Sequence, residues 1–112
     1  MQRIEKNWGY EEIIHNEGYC MKLLVYTHPK SSSLHYHERK HECFYVASGV
    51  FLISIEGRDP QGCRLIRGKA GERVVIPPRT AHRVSCLEPG TIVEASSFDD
   101  PLDCVRLVQS DP

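Results

Sequence analysis

From residue 19 onward the chain alternates short apolar runs with turn residues. β-prone runs occupy 19–27, 43–47, 50–56, 63–67, 73–76, 82–87, 91–96 and 105–108. Turn chemistry separates them: His28-Pro29, Ser48-Gly49, the stretch from Gly57 through Gly62, Pro77-Pro78, Pro89-Gly90 and Asp99-Asp100-Pro101. Helical periodicity is scarce. Many short strands with regular turn signals predict an all-β antiparallel sandwich or barrel. Eight to ten strands in about this length fit a small jelly roll. Phe51, Ile53 and Ile55 share one face of a strand and are expected in the core. Gly49 supplies the backbone freedom of a reversal before that strand. Pro77-Pro78 lacks two amide donors and belongs at a strand end.

Composition narrows the class. At 112 residues one compact domain is expected, spanning 1–112. The net charge of -1 leaves no basic excess for nucleic acid. No apolar run reaches the length of a membrane span. The first ten residues carry charges and a Trp where a signal peptide needs an apolar core, so a cytoplasmic location is expected. The five cysteines are odd in number and widely spaced, which predicts free and mostly buried thiols.

Candidate chemistry concentrates in His35-Tyr36-His37-Glu38-Arg39-Lys40-His41-Glu42. A His-x-His step on an extended strand turns both imidazoles to one side. Glu42 and His82 complete an N3O set suited to one divalent transition metal such as zinc, manganese, iron or nickel. His41, next to Glu42, is expected on the opposite face.

These residues resemble the two cupin motifs. His35, His37, Glu42 and Gly49 fit the first, with Pro29 in place of its leading Gly; Gly71, Pro77 and His82 fit the second, with Arg79 and Cys86 in place of a Gly and an Asn. The resemblance implies a double-stranded β-helix, the cupin barrel, with a metal inside one mouth, held by His35, His37, Glu42 and His82. The chain also resembles the cupin domain of type II phosphomannose isomerases. The likeness runs through Lys6-Asn7-Trp8-Gly9-Tyr10, Ser33-Leu34-His35-Tyr36-His37, Ile76-Pro77, His82-Arg83, Ile92-Val93-Glu94, Asp99-Asp100 and Val105-Arg106. His35 departs from it, because that family usually carries Gln there.

That resemblance implies aldose–ketose isomerisation of a sugar phosphate, which needs a positioned base and an electrophile. Lys22, Glu94 and Tyr26 are the acid–base candidates. Lys22 and Tyr26 share strand parity with Cys20 and Leu24, which would turn them inward, although the default for such residues is solvent. Glu94 lies in an apolar stretch and needs a partner; an Arg salt bridge is the structural alternative. Arg106 is the candidate for holding a substrate phosphate or carboxylate; Arg79 and Arg83 flank His82 and either help or, as the default for each, are exposed surface charges. Trp8 and Tyr10 either stack on a sugar or pin the N-terminal strand. Two other classes remain open: an iron-dependent dioxygenase and a non-catalytic cupin that binds a sugar or other metabolite. A homodimer is expected.

Overall fold

A computed structural model describes residues 2–56 and 62–112, so most of the turn read at Gly57–Gly62 lies outside the described residues. Eleven strands and no helix are present among them. They are β1 (Gln2–Lys6), β2 (Gly9–Glu17), β3 (Tyr19–Tyr26), β4 (Leu34–Tyr36), β5 (Glu42–Val46), β6 (Val50–Glu56), β7 (Arg64–Lys69), β8 (Arg73–Ile76), β9 (Ala81–Glu88), β10 (Gly90–Ser97) and β11 (Val105–Val108). One sheet has the order β1-β2-β3-β10-β5-β8 and the other β11-β4-β9-β6-β7. Every pairing is antiparallel, and the two sheets face each other as a jelly roll.

Eleven strands exceed the expected eight to ten, chiefly because the N-terminal hairpin of β1 and β2 falls outside the β-prone runs. Glu11 and Glu12 interrupt its apolar pattern, and a register shift between Ile13 and His15 breaks the alternation. The adjacent isoleucines Ile13 and Ile14 fall at that bulge.

Alternation places the core. Phe51, Ile53 and Ile55 point inward and are 0%, 0% and 2% exposed. They meet Val46, Phe44, Ile92, Val84 and Tyr26 in one cluster. Burying each such side chain contributes about 1.5–3 kcal/mol. Gly49 has φ +82°, and a Cβ there would lie 2.6 Å from the Glu88 carbonyl oxygen. At Gly90 a Cβ would lie 2.2 Å from the Ser48 carbonyl oxygen, so two turns pack backbone to backbone. β8 ends at Ile76, just before Pro77-Pro78.

The inward faces of β3, β5 and β10 change character along their length. Tyr26, Val46 and Ile92 lie toward one end, and Lys22, Glu42 and Glu94 toward the other. The barrel therefore has an apolar body and a charged mouth.

Candidate metal centre

His35 sits on β4 and is the register partner of His82 on β9. His37 follows two residues after His35, and Glu42 opens β5. Ring centroids lie 4.5 Å apart for His35–His82, 5.0 Å for His35–His37 and 5.9 Å for His37–His82. One nitrogen from each ring lies within 4.8 Å of the others. Glu42 Oε2 stands 2.9 Å from His82 Nε2 and 3.7 Å from His37 Nε2.

The other ring nitrogens fix two of the tautomers. Nδ1 of His37 donates to the Asp103 carbonyl at 2.5 Å and Nδ1 of His82 to the Thr80 carbonyl at 2.9 Å, whereas Nδ1 of His35 lies 2.9 Å from the Ser33 hydroxyl and 3.1 Å from the Ser33 carbonyl. A carbonyl only accepts, so Nδ1 of His37 and of His82 carries the hydrogen. In a neutral ring Nε2 is then a lone pair. Burial first, then the His82 and His37 rings, pushes the His35 imidazole down to about 3. Burial also lowers His37, against the pull of Glu42. Both rings are neutral at pH 7.

Two buried atoms, Glu42 Oε2 and His82 Nε2, have no hydrogen-bond partner among the described residues. Each such orphan costs about 1–3 kcal/mol. The Glu42 carboxylate oxygen and the His82 ring nitrogen face each other at 2.9 Å without a well-directed hydrogen bond. A cation shared by the two is the chemistry that satisfies both.

The charges around the site are extensively paired. Lys40 Nζ lies 2.8 Å from Glu94 Oε2, 2.8 Å from Asp99 Oδ1 and 3.4 Å from Glu42 Oε1. Lys22 Nζ lies 3.1 Å from Glu11 Oε1, 3.1 Å from Asp99 Oδ2 and 4.0 Å from Glu94 Oε1. Four carboxylates (Glu11, Glu42, Glu94, Asp99) face two buried ammoniums (Lys22, Lys40). Lys6, 3.8 Å from Glu11 Oε2, is the only further cation paired to them among the described residues. The buried members, Glu42 and Glu94 against Lys22 and Lys40, balance; adding half-buried Glu11 and Asp99 and then Lys6 leaves an excess of one negative charge.

Burial would lower both lysines, but Glu94 first, then Glu11 for Lys22 and Glu42 for Lys40, holds them above the ordinary range. They stay protonated and can donate but cannot act as bases. Burial, then the Glu42 carboxylate, pushes the Glu94 carboxyl above its usual value. Burial would also raise Glu42, but contact with His82 and the Lys40 ammonium outweighs it and holds that carboxyl at about 2.

One cavity of about 270 Å³ joins these groups: Lys22, His35, His37, Glu42, His82, Glu94 and Arg106 all line it. Arg106 is exposed and is the cross-strand partner of His35, so it stands at the mouth. Lys22 and Tyr26 face inward, not toward the solvent that is their default. Glu94 is paired with lysines rather than an Arg. Trp8 lines the cavity and stacks on Tyr26 at 4.0 Å, whereas Tyr10 lies under Arg3.

Other readings are corrected. Arg79 and Arg83 do not line the cavity. Arg83 has the opposite parity to His82 and turns to the Ser32 carbonyl and Asp111. Arg79 has φ 59°, and its amide donates to the His37 carbonyl at 2.6 Å. His41 is exposed, as alternation requires. Of the five thiols only Cys20 and Cys86 are buried; Cys43 and Cys104 are half-buried and Cys63 is exposed.

Lys40, Asp99, Glu11 and Asp103 complete the surroundings and were not singled out from the sequence. The Asp103 carboxylate accepts the amides of Glu38, Arg39 and Lys40 at 2.8, 3.1 and 3.1 Å, while its own carbonyl holds His37. Lys40 had a signal, because it shares parity with Glu42 and Phe44.

A jelly roll with a cluster of imidazoles of metal-ligating geometry at one mouth defines the class of protein. The chain belongs to the cupin family, with residues 23–95 matching the Cupin domain. A comparison with curated proteins finds no match. Among solved structures, the chain is similar to KdgF from a Halomonas species, with 21% identity over 90% of this chain and 89% of that one and a TM-score of 0.75. It is also similar to Bacillus subtilis oxalate decarboxylase, which has Mn(II) centres, with 22% identity, 96% of this chain, 30% of that one and a TM-score of 0.78. A third similar structure is CapF, with 17% identity over 93% of this chain and 33% of that one and a TM-score of 0.78. At these identities the likeness is one of fold. The chain spans most of KdgF but about a third or less of the other two. Among the described residues no helix is long and apolar enough to cross a membrane.

Proposed function

We propose that this cupin is a metal-dependent isomerase of a small sugar phosphate, of the phosphomannose isomerase type, working in the cytoplasm as a homodimer. One observation carries the reading: a buried carboxyl of raised pKa, Glu94, and two permanently charged ammoniums share a small cavity with the imidazole cluster and a mouth arginine. The sequence resemblance supports the substrate class, and the cavity, at the small end of ligand pockets, suits a metabolite.

His35, His37, Glu42 and His82 are the residues that would hold the ion. A divalent ion there supplies Lewis-acid polarisation of a substrate carbonyl. Glu94 takes the proton from the carbon beside that carbonyl. The C–H electron pair forms the C=C bond of an enediol, and the carbonyl pair moves onto oxygen. The Lys22 ammonium donates to the oxygen that gains charge. Glu94 returns the proton to the former carbonyl carbon, while the hydroxyl proton of the neighbouring carbon passes to the oxygen that gained charge and its O–H electron pair forms the new C=O, which completes the exchange of aldose and ketose. Arg106 holds the phosphate at the mouth.

The test is interconversion of mannose 6-phosphate and fructose 6-phosphate by metal-loaded protein, compared with Glu94→Gln. Turnover that falls at least 100-fold in the variant with metal content unchanged supports the reading. Oxygen consumption by an iron form, or bound metal with no isomerisation, contradicts it.

A further inference from the structure

Asn16 stands on β2, and a register shift decides which way it faces. Ile13 is paired with Lys22 and so shares its inward face. Strict alternation from Ile13 would turn residue 16 outward. The bulge between Ile13 and His15 reverses that, and Asn16 is paired with Cys20, which is 1% exposed. One extra residue in β2 thus puts a carboxamide on the inner side of the sheet, beside the charged mouth.

That carboxamide holds both backbone groups of one distant residue. Asn16 Nδ2 donates to the Asp99 carbonyl at 2.9 Å, and Oδ1 accepts the Asp99 amide at 2.9 Å, across 83 positions of sequence. Reversing the carboxamide would set donor on donor and acceptor on acceptor, so only one orientation satisfies the pair. Asp99 lies beyond the end of β10 and outside every strand, so sheet pairing does not fix it. The neighbouring tie, Asp100 to Arg39 at 3.0 Å, is with a side chain 73% exposed and contributes little. Asn16 is what holds the Asp99 backbone in place.

The Asp99 side chain then bridges the two buried ammoniums. Oδ1 accepts from Lys40 Nζ at 2.8 Å and Oδ2 from Lys22 Nζ at 3.1 Å. Around Lys22 the distances are unequal: Glu11 and Asp99 are at 3.1 Å, whereas Glu94 Oε1 is at 4.0 Å. Withdrawal of Asp99 removes one of the two close partners, and the ammonium closes on Glu94. A base in direct contact with that ammonium is less able to take a proton, and the ammonium is less able to donate to substrate. We propose that Asn16 is a positioning residue of the isomerisation: by clamping Asp99 it holds the Lys22 ammonium off Glu94 and in the cavity. The inference rests on the reading of Glu94 as base and Lys22 as donor.

The experiment compares wild type, Asn16→Ala and Asn16→Asp. Kinetics are read on the metal-loaded full chain with mannose 6-phosphate, and geometry from crystal structures of all three. Aspartate is isosteric and keeps the acceptor for the Asp99 amide, but sets an oxygen against the Asp99 carbonyl. In both variants kcat falls about 10–100-fold, the cost of a misplacement near 1 Å. KM stays within about three-fold of wild type. Metal content and far-UV circular dichroism are unchanged, because the Asn16 side chain bonds only Asp99 among the described residues. Lys22 Nζ moves to within about 3 Å of Glu94 Oε1. A residue that only stabilised the loop would lower the unfolding midpoint and leave kcat of the folded protein alone. A kcat like wild type, a loss confined to KM, or an Asp99 carboxylate still bridging both ammoniums in Asn16→Ala overturns the proposal. A wild type that binds metal and does not isomerise overturns the proposed function instead, and the crystal structures then decide by themselves whether Asn16 holds the bridge.

Discussion

His82 Nε2 and Glu42 Oε2 lie 2.9 Å apart inside the barrel, both buried and both without a hydrogen bond among the described residues. Folding has placed a carboxylate oxygen and an imidazole nitrogen face to face. The arrangement is costly alone and favourable around a cation.

Lys40 shows how the surrounding charges are balanced. Its ammonium touches three carboxylates while its side chain is 3% exposed. Lys40→Met leaves those carboxylates underpaired and should destabilise the metal-free protein by about 3–5 kcal/mol. A urea melt with and without added zinc measures this, and zinc should recover part of the loss.

Asp103 positions a candidate ligand from 66 residues away in sequence. Burial alone would raise its carboxyl, but the amides of Glu38, Arg39 and Lys40 hold it below the ordinary range. Asp103→Ala frees those amides and loosens the turn that carries His37. Metal affinity should fall about 10–100-fold, read by calorimetric titration. A circular dichroism spectrum like wild type separates this from unfolding.

How much of this was legible in the sequence differs by residue. The His-x-His step and the Phe51, Ile53, Ile55 face follow from a period of two, which any strand obeys. Lys22 was harder, because an inward lysine is sensible only beside Glu11 and Asp99, and strand pairing and a distant loop bring those two in. Asp103 has no local signal; its role rests on contacts with residues 37–40.

Arg106 tests the mouth. Arg106→Ala should leave metal content unchanged and weaken binding of an anionic sugar about ten-fold or more. Titration with mannose 6-phosphate against mannose distinguishes the phosphate contribution. Equal loss for both sugars would assign Arg106 to packing.

Acid should destabilise the metal-free protein. His35 is held at about 3 against 6.5 when unfolded, and His37 is also lowered. The unfolded chain therefore binds more protons between roughly pH 6.5 and 3, and stability falls as pH drops through that window. The slope from one such group approaches about 1.4 kcal/mol per pH unit. Glu42, at about 2, adds a loss of the same sign below 4.5, while the raised Glu94 opposes it just above 4.5. Denaturant melts from pH 7.5 to 4 should show a falling midpoint, and a midpoint that rises on acidification would contradict neutral buried imidazoles.

The most direct measurement is metal content by mass spectrometry of purified wild-type protein and His37→Ala. One divalent ion per wild-type chain is expected, with occupancy well below that in the variant, because three remaining donors bind weakly. A wild-type protein that takes up no ion on titration, or a variant that keeps full occupancy, would show that these side chains do not form the centre.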